Sequence, residues 1–213
     1  MQKIFLSNIL PQIFVDNPPQ SEVWRKQVAF ERGRFYLIEA DSGKGKSSLF
    51  GYIYGYRHDF DSDIFFDGKN IKKINSSEWD ELRKNSLSIL FQDLKIFPEL
   101  TAWENIQLKN SLTAHHTDSR IVQMLSMLEI EGKAHKRCEK LSWGQQQRVA
   151  IVRALCQPFD FLLLDEPISH IDDRMADIVV RLITEEVKAQ GAAVIVSSIG
   201  KALNLKYDTI LNL

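Results

Sequence analysis

The sequence is poor in cysteine. It has only two, Cys138 and Cys156, and they form neither a CxxC motif nor a pairing with histidines at metal-ligand spacing. The sequence therefore gives little support to a disulfide framework or a zinc site. A reducing compartment, the cytosol, is the expected environment.

Long hydrophobic runs and an excess of one charge are also lacking. No apolar run approaches the roughly 18 residues that a membrane-spanning helix needs, and the first residues do not have a signal-peptide pattern. Lysine plus arginine number 27 and aspartate plus glutamate 28, so the formal net charge is −1. We therefore expect a cytoplasmic protein with no nucleic-acid partner, which could attach to a membrane only through another protein.

Short apolar segments alternate with helical stretches along the chain. The most regular are RFYLIEA (34–40), SLSILFQ (86–92), FDFLLLDEP (159–167) and AAVIVSS (192–198). The last two are apolar almost throughout, which is typical of strands buried on both faces of a parallel sheet. Four other segments resemble hairpin strands: IFLSNI, QIFVD, VWRKQVAF and DIFFDGKNI, the last with an Asp67-Gly68 turn. The sequence thus predicts an α/β fold with an additional antiparallel lobe.

The region from about 93 to 157 has a helical pattern. Thr101 with Glu104, and Ser142 with Gln145, have the spacing of capping boxes, in which a hydroxyl accepts from free N–H groups at a helix start. Asp118 is the expected cap of a further helix. We therefore expect a helical lobe inserted into the α/β core.

DSGKGKSSL (41–49) follows the first regular strand directly. A strand, a turn of small residues and GKS at a helix start are what triphosphate binding requires, because backbone N–H groups can then point at phosphate oxygens. Lys46 can reach the β- and γ-phosphates, and the Ser47 hydroxyl can bind Mg²⁺. Ala40 occupies the position where the pattern GxxxxGK[ST] has its first glycine. The alternative is an ordinary lysine-rich, solvated turn.

Asp165 and Glu166 end an apolar strand, at the sheet edge where α/β proteins bind ligands. Asp165 can hold Mg²⁺ through water, and Glu166 can orient or deprotonate an attacking water. Gln92 also closes a strand and could bind Mg²⁺ or position water. The ordinary interpretations are that the acidic pair simply ends a strand and that Gln92 is a surface turn residue. Asp172, which follows the acidic pair closely, is in the same way interpretable as a helix cap.

Together these elements resemble the nucleotide-binding subunit of ATP-binding cassette (ABC) transporters, and they occur in the family's order. ADSGKGKS (40–47) is similar to Walker A, and Gln92 to the Q-loop glutamine. LSWGQ (141–145) resembles the signature motif, FLLLDEP (161–167) Walker B with its catalytic glutamate, and SHID (169–172) the D-loop. The branch serving lipoprotein release, macrolide export and cell division is the most similar.

The resemblance implies a P-loop NTPase core, an antiparallel β lobe and a helical lobe (about 93–157), in a single ABC ATPase domain over 1–213. It implies ATP and Mg²⁺ as cofactors, with Glu166, Gln92 and Lys46 as catalytic residues and Ser47, Gln92 and Asp165 at the metal. The implied nucleotide contacts are Ala40, Asp41, Ser42, Gly43, Lys44, Gly45, Lys46, Ser47, Ser48, Ser142, Trp143, Gly144, Gln145 and Asp172.

The resemblance also implies partners. ATP would be held between the P-loop of one subunit and the signature helix of another, in a head-to-tail homodimer or heterodimer. That pair would drive integral-membrane permease subunits, docked around Leu94 to Leu100, from the inner face of the cell membrane.

Three positions depart from the family pattern: Ala40, Trp143 and Ile199. Ile199 stands where the switch histidine would contact the γ-phosphate, and an isoleucine cannot hydrogen-bond. We therefore expect an ATPase that is slow for its class. The alternatives are an ATP-gated dimerisation switch with little or no turnover, and a soluble ABC ATPase without a membrane partner. Phe14 is the candidate for stacking on adenine, although packing in the core is an equal alternative.

Overall fold

Nine strands form two sheets in the computed structural model, which describes all 213 residues. The strands are β1 (Lys3–Pro11), β2 (Gln27–Glu31), β3 (Phe35–Glu39), β4 (Phe60–Phe66), β5 (Lys69–Asn70), β6 (Leu87–Leu90), β7 (Phe161–Asp165), β8 (Ala193–Ser198) and β9 (Thr209–Asn212). One sheet is antiparallel, in the order β2-β1-β4-β5. The other is parallel, in the order β6-β7-β8-β3-β9. The predicted α/β architecture with an antiparallel lobe is confirmed.

The helices are α1 (Lys46–Tyr54), α2 (Ser76–Asn85), α3 (Ala102–Asn110), α4 (Asp118–Met127), α5 (Trp143–Leu155) and α6 (Asp173–Gln190). None of them combines the length and the apolar character that crossing a bilayer would require.

The parallel sheet separates two hydrophobic cores. Along β7, Leu162 and Leu164 belong to the core that contains the apolar faces of α3 to α6. Phe161 and Leu163 belong to the core formed with α1, α2 and the antiparallel sheet. Successive side chains of a strand point to opposite faces, so a central strand covered on both sides must be apolar throughout. This explains why the FLLLD pattern has no polar alternation.

Helix starts follow the predicted capping chemistry with one correction. Both capping boxes are present, Thr101 with Glu104 at α3 and Ser142 with Gln145 at α5. The cap of α4 is Thr117, whose hydroxyl accepts from the Arg120 N–H at 3.2 Å, and not Asp118. Asp118 is already the first helical residue, where its charge is favourable next to the free N–H groups of the first turn.

Of the hairpin predictions near the start of the chain, one was wrong and one is confirmed only in part. QIFVD contributes a short 3₁₀ turn, Gln12–Phe14, instead of a strand. Pro18 and Pro19 follow this segment, and a proline has no N–H to donate to a sheet. In VWRKQVAF only the second half pairs, because Arg25 adopts a positive φ of 58° that turns the chain before β2.

Gly55 ends α1 and provides a test of packing between α1 and α2. Its φ is 72°, and an added Cβ would lie 2.4 Å from the Trp79 ring. The left-handed conformation costs an L-residue roughly 1–2 kcal/mol, and overpacking costs about 1–3 kcal/mol more. We expect Gly55→Ala to lower the free energy of unfolding by about 2–5 kcal/mol, measured by urea denaturation.

Gly191 is the matched control. It ends α6 with a φ of 58°, but nothing lies within 4 Å of its hypothetical Cβ. Gly191→Ala should therefore show only the conformational cost. Equal losses in the two variants would contradict the packing argument.

Candidate functional site

The loop between β3 and α1 is shaped by two glycines and two aromatic rings. Gly43 and Gly45 have positive φ values of 80° and 97°. A Cβ on Gly45 would lie 2.9 Å from the Trp24 ring and 3.2 Å from Phe14. The Trp24 indole also donates a hydrogen bond to the Lys44 carbonyl at 3.1 Å. The loop is thus held closely against aromatic residues that precede β2, and only glycine fits at position 45.

Lys46 lies at the centre of this loop with 5% of its surface exposed. Its Nζ donates to the carbonyls of Ala40 at 2.8 Å and Asp41 at 3.0 Å, and lies 3.9 Å from Glu166 Oε1. Burial lowers the pKa of Lys46, and the negative charge of Glu166 opposes that shift. An ammonium surrounded by loop backbone is well placed to bind an anion.

A cavity of about 250 Å³ opens beside Lys46. Its walls come from the loop, α1, the end of β6, the end of β7 and the segment after β8. The lining residues are Ile13, Phe14, Ser42, Gly43, Gly45, Lys46, Ser47, Ser48, Arg57, Gln92, Glu166 and Ile199. The Ser47 hydroxyl donates to Gln92 Oε1 at 3.3 Å. The fold therefore brings together hydroxyl, amide, carboxylate and ammonium groups that are distant in the sequence.

Asp165 and Glu166 are tied to the neighbouring strand by one hydroxyl. Ser197, buried in β8, donates to Asp165 Oδ1 at 2.5 Å and accepts from the Glu166 N–H at 3.2 Å. Asp165 and Ser197 are direct partners in the register of β7 and β8. The adjacent strand thus fixes the direction of the Asp165 carboxylate.

Glu166 has an unusual backbone conformation. Its φ is 51°, in the left-handed region that non-glycine residues seldom adopt. Such conformations persist where surrounding contacts impose them, and here Gln147 of α5 donates to the Glu166 carbonyl at 3.3 Å. Burial raises the pKa of the Glu166 carboxyl, while Lys46 acts in the opposite direction. A carboxylate with a raised pKa is a better general base near neutral pH.

The residues of LSWGQ lie elsewhere in the molecule. Ser142 caps α5, and a Cβ on Gly144 would lie 2.8 Å from the His170 carbonyl oxygen. The Trp143 ring is 45% exposed and makes an edge contact with His170 at a centroid distance of 5.6 Å. Asp172 accepts from the Met175 N–H at 2.9 Å and caps α6. None of Ser142, Trp143, Gly144, Gln145 and Asp172 lines the cavity of its own chain.

Ile199 forms part of the cavity wall and is 44% exposed. The preceding Ser198 is buried and its hydroxyl has no hydrogen-bond partner. The end of β8 therefore presents an apolar side chain to the cavity.

Some site residues were not predicted from the sequence. Arg57 lines the cavity, donates to the Ser48 hydroxyl at 2.8 Å and pairs with Asp59. Arg57 and Asp59 look like a local surface ion pair in the sequence, and nothing in their spacing indicates a cavity. Gln147 was not predicted either. Its contact with the Glu166 carbonyl depends on how α5 packs against the segment after β7.

Comparisons with known proteins agree with this architecture. Residues 25–169 match the family described as ABC transporter. The chain is 36% identical over 148 residues to the spermidine/putrescine import ATP-binding protein PotA of Thermotoga maritima. That alignment covers 68% of this chain and 39% of PotA, so the chain spans well under half of that relative's length.

Two groups of solved structures have a similar fold. The dimeric ATP-binding cassette MJ0796, in a post-hydrolysis state bound to ADP and Pi, superposes with a TM-score of 0.77 at 25% identity, covering 92% of this chain and 87% of that one. A bacterial Atm1-family ABC exporter with ATP bound gives a TM-score of 0.74 at 19% identity, covering 92% and 34%, which indicates the fold alone. The chain belongs to the ABC transporter family, and its fold is that of an ABC ATPase.

The Ser197 hydroxyl provides a test of the acidic pair. Ser197→Ala leaves the Glu166 N–H and one Asp165 oxygen without their partner, which costs about 1–3 kcal/mol for a buried group. We expect the free energy of unfolding to fall by that amount in urea denaturation. Ser198→Ala is the matched control, because it removes a buried hydroxyl that has no partner. That variant should be as stable as the unmodified protein or more stable, and the reverse order would contradict the assignment of the two hydroxyls.

Proposed function

We propose that the chain is the ATP-binding and ATP-hydrolysing subunit of an ABC transporter or of a related mechanotransmission complex. One observation carries the proposal: Lys46, Ser47, Gln92 and Glu166 converge on one cavity at the carboxyl edge of a parallel sheet. Ligands of open α/β sheets bind at this edge. Membership of the ABC transporter family supports the same conclusion.

Each group has a role in this proposal. The N–H groups of residues 42–48 and the Lys46 ammonium would hold the phosphates. Ser47, Gln92 and Asp165 supply the hard oxygen ligands that suit Mg²⁺, which when bound neutralises developing phosphate charge. Glu166, with its raised pKa, accepts a proton from the attacking water or orients it.

A head-to-tail dimer would complete the site. Ser142, Trp143, Gly144 and Gln145 lie at the N-terminus of α5, outside their own chain's cavity, and a helix N-terminus favours anions. In a second copy, or in a homologous subunit, the same segment would close over the cavity together with Asp172. The dimeric structures of MJ0796 support this arrangement.

The remaining partners follow from the family. We propose one ABC ATPase domain over 1–213 with a helical lobe at about 93–157, held at the inner face of the cell membrane by integral-membrane permease subunits. Phe97, 52% exposed within the stretch Leu94 to Leu100, is an apolar contact available for docking. The lipoprotein-release, macrolide-export and cell-division branch remains our proposal, on the sequence LSILFQDLKIFPELTAWENI.

Ile199 supports a second candidate, an ATP-gated dimerisation switch with little or no turnover. A switch would still bind ATP through Lys46 and the loop, but the cavity wall at Ile199 offers no hydrogen bond to the γ-phosphate.

Turnover of Mg·ATP by the purified protein distinguishes the two candidates. Glu166→Gln keeps the size of the side chain but removes the base. If the chain is an ATPase, we expect the variant's turnover to fall by about 10²–10⁴-fold while its ATP affinity is retained. The measurement is phosphate release, with the protein alone and with its membrane partner. If the unmodified protein is no faster than the variant in both settings, the switch is the correct description.

ATP titrations of Lys46→Ala provide the binding control for this experiment. Loss of the buried ammonium should weaken ATP binding strongly. Lys188→Ala, on the exposed end of α6, removes the same charge away from the cavity and should bind ATP normally. Undiminished affinity in Lys46→Ala would reject the assignment of the phosphate loop.

Ile199→His tests the proposed cause of slow turnover. A new contact worth ~1.4 kcal/mol in the transition state raises the rate about tenfold. We therefore expect faster phosphate release at saturating ATP. Ile199→Leu, which stays apolar, should leave the rate unchanged. Equal rates for Ile199→His and Ile199→Leu would show that position 199 does not limit turnover.

A further inference from the structure

Three potential metal ligands meet on the side of the molecule where the α3–α4 connection contacts α6. His115 and His116 lie in that connection, and Glu186 lies on α6. One ligand atom from each of the three residues lies within 4.8 Å of the others. His116 Nε2 is 3.1 Å from Glu186 Oε2. None of the three lines the cavity described above.

The two imidazoles are incompletely satisfied. His115 Nε2 is buried from solvent and has no hydrogen-bond partner. His116 Nε2 is also buried, and the one partner it has is the Glu186 carboxylate at 3.1 Å. A buried polar atom without a partner is costly, and few occur in native proteins. A buried imidazole nitrogen beside a carboxylate, with a second imidazole close by, requires either a proton or a cation between the groups.

The charges around Glu186 leave room for a cation. Glu186 is only 4% exposed, and its Oε1 accepts from Arg120. The same guanidinium donates to Glu185 Oε1 at 2.8 Å, so the two carboxylates exceed the single Arg120 charge by one. Glu186 Oε2 faces the histidines rather than Arg120. Arg120 therefore orients the carboxylate, as the second shell of a metal site does.

We propose that His115, His116 and Glu186 bind a divalent transition metal of the Zn²⁺ class. Two imidazoles and a carboxylate suit this ion, with water as the fourth ligand. Tetrahedral bonds of about 2.0–2.2 Å place ligand atoms about 3.4 Å apart, close to the His116–Glu186 separation. The ligand atom of His115, within 4.8 Å of the other two, would complete the set by moving towards them. No local sequence pattern predicts this site, because Glu186 is far from the histidine pair along the chain.

Such a metal would join the α3–α4 connection to α6. The connection otherwise contacts α6 through His116, and Arg120 of α4 pairs with the same Glu186. A metal bond would add a link that forms only in the folded chain. Binding to the folded state alone raises the free energy of unfolding by RT ln(1 + M/Kd), where M is the free metal concentration, so Tm rises with that concentration. The site would thus stabilise the position of the α3–α4 connection independently of ATP.

The proposal is tested on the whole protein after chelator treatment, without nucleotide. We expect calorimetric titration to show one equivalent of Zn²⁺ bound with a rise in Tm, and Co²⁺ to develop the visible absorption of a nitrogen- and oxygen-ligated site. Loss of a second-shell partner weakens metal binding by about 10–100-fold, so loss of a ligand should cost at least that. His115→Ala is the most informative variant because the Nε2 atom it removes has no hydrogen bond to lose.

His135→Ala is the matched control, since His135 is exposed and outside the cluster. It should bind Zn²⁺ and Co²⁺ as the unmodified protein does. Glu186→Gln should also lose the metal, and its circular dichroism shows whether it remains folded. Absence of Zn²⁺ and Co²⁺ binding in the unmodified protein would overturn the proposal. So would unchanged affinity and Co²⁺ spectrum in His115→Ala, which would mean that the metal binds elsewhere.

Discussion

Burial of the Lys46 ammonium is the constraint on which the candidate site depends. Lys46 is only 5% exposed. A buried charge without polar partners destabilises the folded state by several kcal/mol. The partners of Lys46 are two carbonyls of the β3–α1 loop and the carboxylate of Glu166, which follows β7. These come together only because β8 lies between β3 and β7 in the parallel sheet. The sheet order, the loop conformation and the acidic pair are therefore parts of one electrostatic arrangement.

The same acidic pair connects the cavity to the start of α5. Gln147 donates to the Glu166 carbonyl and to the Ser169 hydroxyl, and its own amide oxygen accepts from the His170 N–H. Gly144 packs against the His170 carbonyl so closely that a Cβ would lie 2.8 Å from it. The strained backbone of Glu166 is thus held from both sides, by Ser197 of β8 and by α5. Gln147 of α5 thus contacts the Glu166 backbone directly, and Gly144 contacts the same segment at His170.

Sequence patterns predicted most of the fold and the centre of the site, because those depend on local rules. Apolar strands buried on both faces, capping boxes and a glycine-rich turn before GKS are each readable over a few residues, as at Lys46 and Asp165. The incorrect or missing predictions concern segments whose structure depends on tertiary contacts. QIFVD has strand-like composition but is followed by Pro18 and Pro19. VWRKQVAF is interrupted by the turn at Arg25, next to Trp24, which packs against the β3–α1 loop. Arg57 and the Glu186 cluster depend on partners that no local pattern reveals.

Ile199 and Trp143, two of the departures from the family pattern, differ in their position relative to the cavity: Ile199 lines it and Trp143 does not. Ser197 is committed to Asp165 and to the Glu166 N–H, and the Ser198 hydroxyl is buried without a partner. The only side chain of this segment that reaches the cavity is therefore apolar. Trp143 does not line the cavity of its own chain, and its ring packs against His170. In the proposed nucleotide site, a phosphate beside Ile199 would depend on Lys46, the loop N–H groups and Mg²⁺ for its charge balance. In the proposed dimer, closure by the second subunit would then be more important for this chain than for one with a polar group at position 199.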